Sequence, residues 1–165
     1  MALQLTNILS LQTYFTALAT GPTHHKEIDG IKFGDNEVLM AASRSDMEAR
    51  VLWVAEYENF TAQGSQDNLH TRKPFKMVYL KVPPSDLFSD KQTTKAQCEA
   101  VMRQIIAKII VDKQAGLVLT KLDSIKAELG EYTVGSTNYC GCEVTLEILD
   151  NTGFQYDASK WEVPE

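Results

Sequence analysis

One long helical pattern, Asp90–Gln114, divides this chain and limits the folds that are open to it. Its apolar residues recur at spacings of three and four, and Gly116 supplies a C-terminal stop. A helix with such a broad apolar stripe has to bury it against a second layer of structure. The stripe comprises Cys98, Val101, Met102, Ile105, Ile106, Ile109 and Ile110.

Segments with the composition of strands come in pairs on both sides of that helix. Arg50–Tyr57 and Phe75–Val82 are rich in β-branched and aromatic residues, and Pro83-Pro84 ends the second segment. Cys140–Leu149 alternates apolar and polar residues, which indicates a strand with one solvated face. Leu122–Val134 is ambiguous, because its alternation favours a strand whereas its Lys and Glu content suits a helix.

The N-terminal part adds helices and completes the predicted element order. Leu5–Thr20 predicts a helix that Gly21-Pro22 ends, and the polar Thr23–Gly34 predicts a connection. Asp35 or Asn36 is predicted to cap a short helix that reaches about Ser43. Because strands come in adjacent pairs, we expect a single α+β domain over residues 1–165. Its predicted core is a mainly antiparallel four-stranded sheet, packed against one long and one or two shorter helices, in the order α-α-β-β-α-β-β.

Two polar segments offer apolar side chains for contacts between subunits. Glu58–Pro74 is predicted to be a long hairpin loop with two large apolar residues. The segment after Asp150 carries three aromatic residues, which predicts docking on its own domain or on a neighbouring subunit. The predicted subunit-interface residues of these two segments are Phe60, Leu69, Phe154, Tyr156 and Trp161.

No motif in the sequence indicates catalysis, a cofactor or a metal site. It contains no phosphate-binding loop, no G-x-G-x-x-G and no G-x-S-x-G. His24-His25 is predicted to be a solvated pair whose side chains point apart. A nucleophilic pair of Cys98 or Cys140 with His70 is not favoured, because Cys98 lies on the apolar stripe, where burial raises a thiol pKa. We therefore predict no catalytic, cofactor-binding or metal-binding residues.

The net charge and the composition of the chain disfavour two classes of partner, nucleic acids and membranes. Sixteen Lys and Arg against 22 Asp and Glu give a net charge of −6, which disfavours high-affinity binding of nucleic acid. No apolar run approaches the ~20 residues that cross a bilayer, so no membrane association is expected. The three cysteines and the N-terminus without a basic region predict folding in a reducing cytoplasm.

Three sequence blocks together resemble a family of small proteins from Bacteroidetes phages and prophage-like regions. They are HKEIDGIKFGDNEVL, the polar loop with Asp67-Asn68, and GCEVTLEILDNTGFQYDASKW, in which Cys142 replaces a large aromatic of the family pattern. The element order is similar to that of phage tail terminators and head–tail connector (neck) proteins. The resemblance implies a virion structural protein that forms a homo-oligomeric ring, contacts neighbouring neck or tail proteins, and passes DNA without reading its sequence. Its expected location is the virion, and the host cytoplasm during assembly.

Two other functions stay open on the sequence. A small enzyme or ligand-binding domain would use the open sheet face beneath the long helix, with Trp53, Glu56, Tyr57 and Tyr79 nearby. A non-virion adaptor protein of the same mobile element would share the composition and the resemblance.

Overall fold

The structure, a computed structural model, describes residues 8–22, 24–34, 47–55, 61–63, 70–116 and 121–150 and has an α+β fold. The predicted short helix near Asp35–Ser43 and the segment after Asp150 lie outside these residues. Two helices and six strands follow one another along the described chain: α1 Ile8–Thr20, β1 Gly30–Phe33, β2 Arg50–Ala55, β3 Thr61–Gln63, β4 His70–Lys81, α2 Phe88–Gln114, β5 Lys121–Val134 and β6 Thr137–Asp150.

The strands form one mixed sheet of six strands, mostly antiparallel, which corrects the strand number of the predicted, mainly antiparallel four-stranded sheet. Its order is β1-β2-β4-β6-β5, and β3 also pairs with the first residues of β4. β1 is parallel to β2, and the other pairs are antiparallel. β1 and β3 lie in segments predicted to be a connection and a loop. With 4 and 3 residues, they are too short to show a periodicity in sequence.

β4 is also longer than predicted and includes Pro74. It pairs with β6 over its length, with Pro74 opposite Glu147. On its other side it pairs with β3 as far as Arg72 and with β2 from Lys76. A proline is compatible with this strand because its nitrogen can point toward the interval between these two pairings.

The ambiguous segment Leu122–Val134 is a strand, and the predicted strand at Cys140–Leu149 is confirmed. β5 and β6 form a long hairpin joined at Gly135, which has a φ of 59°. Along β6, Cys142, Val144 and Leu146 are buried on one face. Glu143, Thr145 and Glu147 are half-buried on the other face.

Both helices pack on one face of the sheet and bury its main core. On α2 the predicted stripe is confirmed at its centre, whereas Ile106 is half-buried and Ile110 is 39% exposed. Large side chains of this core include Tyr14, Phe15, Leu52, Phe75, Met77, Tyr79, Met102, Ile105 and Leu146.

A second, smaller apolar cluster lies on the opposite face of the sheet, so β2 and β4 are buried on both faces. Its members are Met47, Val51, Trp53, Val78, Leu80, Val134 and Tyr139. The indole N–H of Trp53 donates a hydrogen bond to the Gly34 carbonyl oxygen at 3.1 Å. No helix within the described residues is long and apolar enough to span a bilayer.

Candidate functional site

A cleft of about 360 Å³ opens where the loop after α1, the end of β4 and the middle of α2 meet. Tyr79 and Lys81 reach it because residues two apart on a strand share a face. The helical residues share a face because they follow the i, i+3, i+4, i+7 spacing. The lining residues are His25, Glu27, Tyr79, Lys81, Gln97, Ala100, Val101 and Gln104.

Each pair of the three cleft walls is joined by one hydrogen bond. The buried Tyr79 hydroxyl donates to the Glu27 carbonyl oxygen at 2.6 Å and joins β4 to the loop. Lys81 Nζ donates to Gln97 Oε1 at 2.8 Å and joins β4 to α2. His25 Nε2 lies 2.7 Å from Gln104 Oε1 and joins the loop to α2. These hydrogen bonds connect the three walls around the cleft.

The hydrogen bonds of His25 assign its tautomer. Its Nδ1 accepts a hydrogen bond from the Glu27 backbone N–H at 3.1 Å, so this nitrogen carries no proton. Nε2 then carries the proton and donates it to Gln104 Oε1. A neutral imidazole satisfies both partners at once, which makes His25 a positioning group for the loop.

Arg50 forms an ion-pair network with Asp29 and with Glu27, which lines the cleft. Its Nε and Nη2 bind the two carboxylate oxygens of Asp29 at 2.9 and 2.5 Å, and Nη1 binds Glu27 Oε2 at 2.9 Å. The hydrogen bond from Arg50 holds the pKa of the Asp29 carboxyl below its usual value, and the two carboxylates raise the pKa of Arg50. This paired arrangement leaves Lys81 as the cation that faces the cleft.

Polar side chains with donors and acceptors can bind a small polar ligand in this cleft. Gln97 and Gln104 offer amide groups, and Lys81 adds a positive charge. No Ser, Thr or Cys is among the described residues that line the cleft, and the one hydroxyl among them, that of Tyr79, donates to the Glu27 carbonyl oxygen. In the part of the chain that the structure describes, no group of three His, Cys, Asp or Glu residues is placed to hold a metal ion.

The cysteines are buried and belong to the packing of the sheet. Burial raises the pKa of Cys98 to about 12 and that of Cys142 to about 11. The Cys98 thiol donates to the Cys140 carbonyl oxygen at 3.4 Å. These thiols stay protonated at neutral pH, as the position of Cys98 on the apolar stripe predicts.

Away from the cleft, a buried hydrogen bond between Tyr14 and Asp112 joins α1 to α2. Asp112 is 4% exposed and accepts a hydrogen bond from the Tyr14 hydroxyl at 2.9 Å. Lys108, one turn earlier on α2, pairs with the other oxygen of the same carboxylate. Burial, and then the Asp112 carboxylate, raise the pKa of the Tyr14 hydroxyl. The arrangement fixes α1 against α2.

Two exposed apolar surfaces complete the set of candidate sites. The Leu87–Phe88 pair at the start of α2 is 66% and 76% exposed. The β5 row, defined as Ile125, Ala127 and Leu129, lies on the helix-bearing face because these residues pair with Leu146, Val144 and Cys142. Ile125 is 44% and Leu129 is 49% exposed, since α2 lies mainly over β6 and extends little beyond it.

The sequence-predicted interface residues are not among those that the structure describes. This applies to Phe60, Leu69, Phe154, Tyr156 and Trp161. Of the residues named for an open sheet face, Tyr79 lies in the cleft, whereas Trp53 is buried on the opposite face. Glu56 and Tyr57 are also outside the described residues.

Sequence reasoning missed His25, Gln97 and Gln104 as cleft residues. His24 and His25 do point apart, as predicted, since His24 Nδ1 contacts the Gly21 carbonyl oxygen at 2.6 Å. His25, however, is half-buried and its Nε2 contacts Gln104 of α2, so this loop residue is less solvated than predicted. The available signal was the spacing of Gln97 and Gln104, seven residues apart beside the apolar stripe.

Comparison with known proteins gives no relative on which to base a function. No protein-family model matches the sequence, and no curated protein matches it. The resemblance to phage proteins therefore stays a prediction.

Proposed function

We propose that this chain is a structural protein of a phage virion, which assembles as a homo-oligomeric ring at the head–tail neck or the tail end. The observation that carries the proposal is the exposed apolar surface formed by the Leu87–Phe88 pair at the start of α2. Exposed apolar residues that form a surface are typical of protein contacts. The resemblance of the three sequence blocks to phage proteins supports the same function.

A ring requires contacts between unlike surfaces of neighbouring subunits. Each subunit presents one surface to the neighbour on its left and a different one to the neighbour on its right. The Leu87–Phe88 pair lies at the start of α2, and the C-terminal segment with Phe154, Tyr156 and Trp161 follows β6. We assign these two to the ring contact, with Phe60 and Leu69 of the predicted loop as further contact residues.

The charge of the chain suits the passage of DNA through such a ring. A net charge of −6 per subunit repels phosphate, so DNA moves past the channel wall without binding to it. The proposed partners are other copies of the chain and the adjacent neck or tail proteins of the virion. The proposed location follows, in the host cytoplasm during assembly and in the finished particle.

Electron microscopy and native mass spectrometry of the purified full chain test the ring. We expect closed rings for the wild type, and loss of rings for the double variant Leu87→Ser and Phe88→Ser. Leu9→Ser is the matched control, because Leu9 is 72% exposed on α1 and lies outside the proposed contact. Wild-type protein without rings at high concentration, together with its absence from purified particles of the phage that encodes it, would contradict the proposal.

A ligand-binding function is the second candidate, and the cleft favours it. Hydrogen bonds connect its three walls, and the positively charged Lys81 side chain lines it, so a small anion is the ligand class that we expect. A thermal-shift screen against small carboxylates and phosphates tests this function. A stabilising anion should lose its effect in Lys81→Met and keep it in Lys113→Met, which changes a lysine at the far end of α2. If no anion stabilises the wild type, the cleft is a structural feature of the fold.

A further inference from the structure

β5 is the long edge strand of the sheet. In the described sheet it pairs with β6 on one side only, and its 14 residues present backbone N–H and C=O groups on the other side. The β5–β6 register shifts between Leu122 and Ile125, which marks a bulge near the start of the strand. From Ile125 to Val134 the strand is regular and can accept a further strand.

The two faces of this regular segment differ in character. The β5 row, Ile125, Ala127 and Leu129, is exposed on the helix-bearing face. Lys126 and Glu128 lie on the other face, with side chains that are 77% and 58% exposed, and they pair with each other along the strand. An isolated edge strand thus carries an apolar face and a face with one positive and one negative charge.

This pattern is self-complementary about Ala127. A two-fold axis perpendicular to the sheet would place Ile125 opposite Leu129 of a second copy, and Ala127 opposite its own equivalent. Lys126 of each copy would lie opposite Glu128 of the other copy. Two such ion pairs would form, and pairs of opposite charge at facing positions stabilise antiparallel strands.

Neighbouring registers lack this match. An axis at Glu128 would place Ile125 opposite Glu131, and an axis at Gly130 would place Leu129 opposite Glu131. Glu131 is already bound to Lys91 and Lys95 of the same chain, at 3.2 and 2.8 Å. Over Ile125–Leu129, the register centred on Ala127 is the one of these three that joins apolar to apolar and positive to negative residues. Beyond that segment it places Glu131 opposite Asp123, which lies at the bulge.

We propose that β5 pairs antiparallel with β5 of a second copy of this chain, centred on Ala127, and that the sheet continues through the resulting dimer. Both helical layers then lie on the same face of the joined sheet. The apolar rows of the two copies meet between their α2 helices, where Ile106 and Ile110 extend the apolar surface. The contact pairs Ile125–Leu129 of the two open edges with each other and covers the β5 row in one step.

This inference does not depend on a role in a virion. The contact is isologous, so it closes on itself as a dimer. A ring would need the unlike contact proposed for Leu87–Phe88 and the C-terminal segment in addition. Rings without β5 dimers, or β5 dimers without rings, would separate the two proposals.

Charge-swap variants test the register directly. In Lys126→Glu, the introduced carboxylate would face Glu128 of the second copy twice, and in Glu128→Lys the opposed side chains would both be positive. We expect each single variant to weaken the dimer about tenfold or more, and the double swap Lys126→Glu with Glu128→Lys to restore it. Lys26→Glu is the control, because it makes the same charge change before β1, at the opposite edge of the sheet.

Sedimentation equilibrium measures the dissociation constant of the dimer for each variant. All variants also carry Leu87→Ser and Phe88→Ser, so that ring formation does not contribute to the measured association. Hydrogen exchange at the β5 amides gives a second readout, which should slow with protein concentration in the wild type and not in the single variants. A chain that stays monomeric up to about 1 mM would overturn the proposal, and the edge charges would then act against pairing. A dimer that both single variants leave unchanged would also overturn it.

Discussion

At the scale of single residues, the contact of Tyr14, Asp112 and Lys108 shows how a charge is accommodated in the core. The Asp112 carboxylate is almost fully buried between α1 and α2, where an unpaired charge would be costly. Tyr14 and Lys108 each bind one of its oxygens. Lys108 is one turn from Asp112 and forms a local pair, whereas Tyr14 brings the contact from the other helix.

Tyr14→Phe should therefore lower the free energy of unfolding by about 1–3 kcal/mol, because it removes a hydrogen bond to a buried carboxylate and leaves that oxygen without its donor. Urea denaturation followed by circular dichroism measures the change. Tyr132→Phe is the control, since it removes the same oxygen from a half-buried ring on β5. Equal stability of the Tyr14 variant and the wild type would show that the contact contributes little to joining the helices.

At the scale of elements, α2 is the main support of the sheet. Ile105 is 3% exposed at the centre of its buried stripe, whereas Ile110 lies at the edge of the stripe. Ile105→Asp should unfold the domain, because a buried carboxylate at this position has no partner in the apolar core. Ile110→Asp makes the same chemical change on the same helix and should keep the fold, with a loss of about 1 kcal/mol or less.

Thermal unfolding and near-ultraviolet circular dichroism distinguish these two results. Ile106→Asp, at the half-buried position between them, should fall between the two variants. A cooperative transition in Ile105→Asp at the wild-type temperature would mean that the buried face of α2 is assigned wrongly.

The elements that could be predicted from sequence are those with enough residues to show a period. α2 and β6 were predicted because a stripe or an alternation runs through each of them. β1 was missed because its 4 residues gain their structure from pairing with β2, a contact that sequence does not reveal. The first residues of β4 were missed because Lys73-Pro74 suggests a loop, whereas the ladder with β6 continues through both.

The cleft could not be predicted from sequence for a different reason. Its residues come from a loop, a strand end and a helix that are far apart in the chain, and none of them belongs to a catalytic motif. Tyr79 was named because it is an aromatic residue on a predicted strand. His25 acquires its position through Gln104, 79 residues later, so its role depends on the packing of the whole domain.

At the scale of the whole molecule, the proposed dimer and the proposed ring use different surfaces of the chain. The β5 row would join two copies, and the Leu87–Phe88 pair with the C-terminal segment would join subunits around a ring. The C-terminal aromatics Phe154, Tyr156 and Trp161 can each bury roughly 150–250 Å², enough to anchor a segment on a neighbouring surface. The alternative from the sequence is that they cover the same domain.

A chain ending at Asp150 separates these two roles of the C-terminal segment. If the segment bridges subunits, the truncated chain should lose its rings and keep its melting temperature, because β6 and the core above it remain complete. If the segment covers its own domain, the truncated chain should melt earlier or become insoluble, because apolar surface would be uncovered.

The triple variant Phe154→Ser, Tyr156→Ser and Trp161→Ser is the matched control for chain length, and it should reproduce the truncation in either case. Electron microscopy reports the rings, calorimetry reports the stability, and sedimentation equilibrium reports the β5 dimer. Because the proposed β5 contact uses Ile125–Leu129 and no residue after Asp150, the truncated chain should still dimerise with the wild-type dissociation constant. A truncated chain that keeps both its rings and its stability would contradict both roles, and the aromatic residues would then be available for a different protein of the particle.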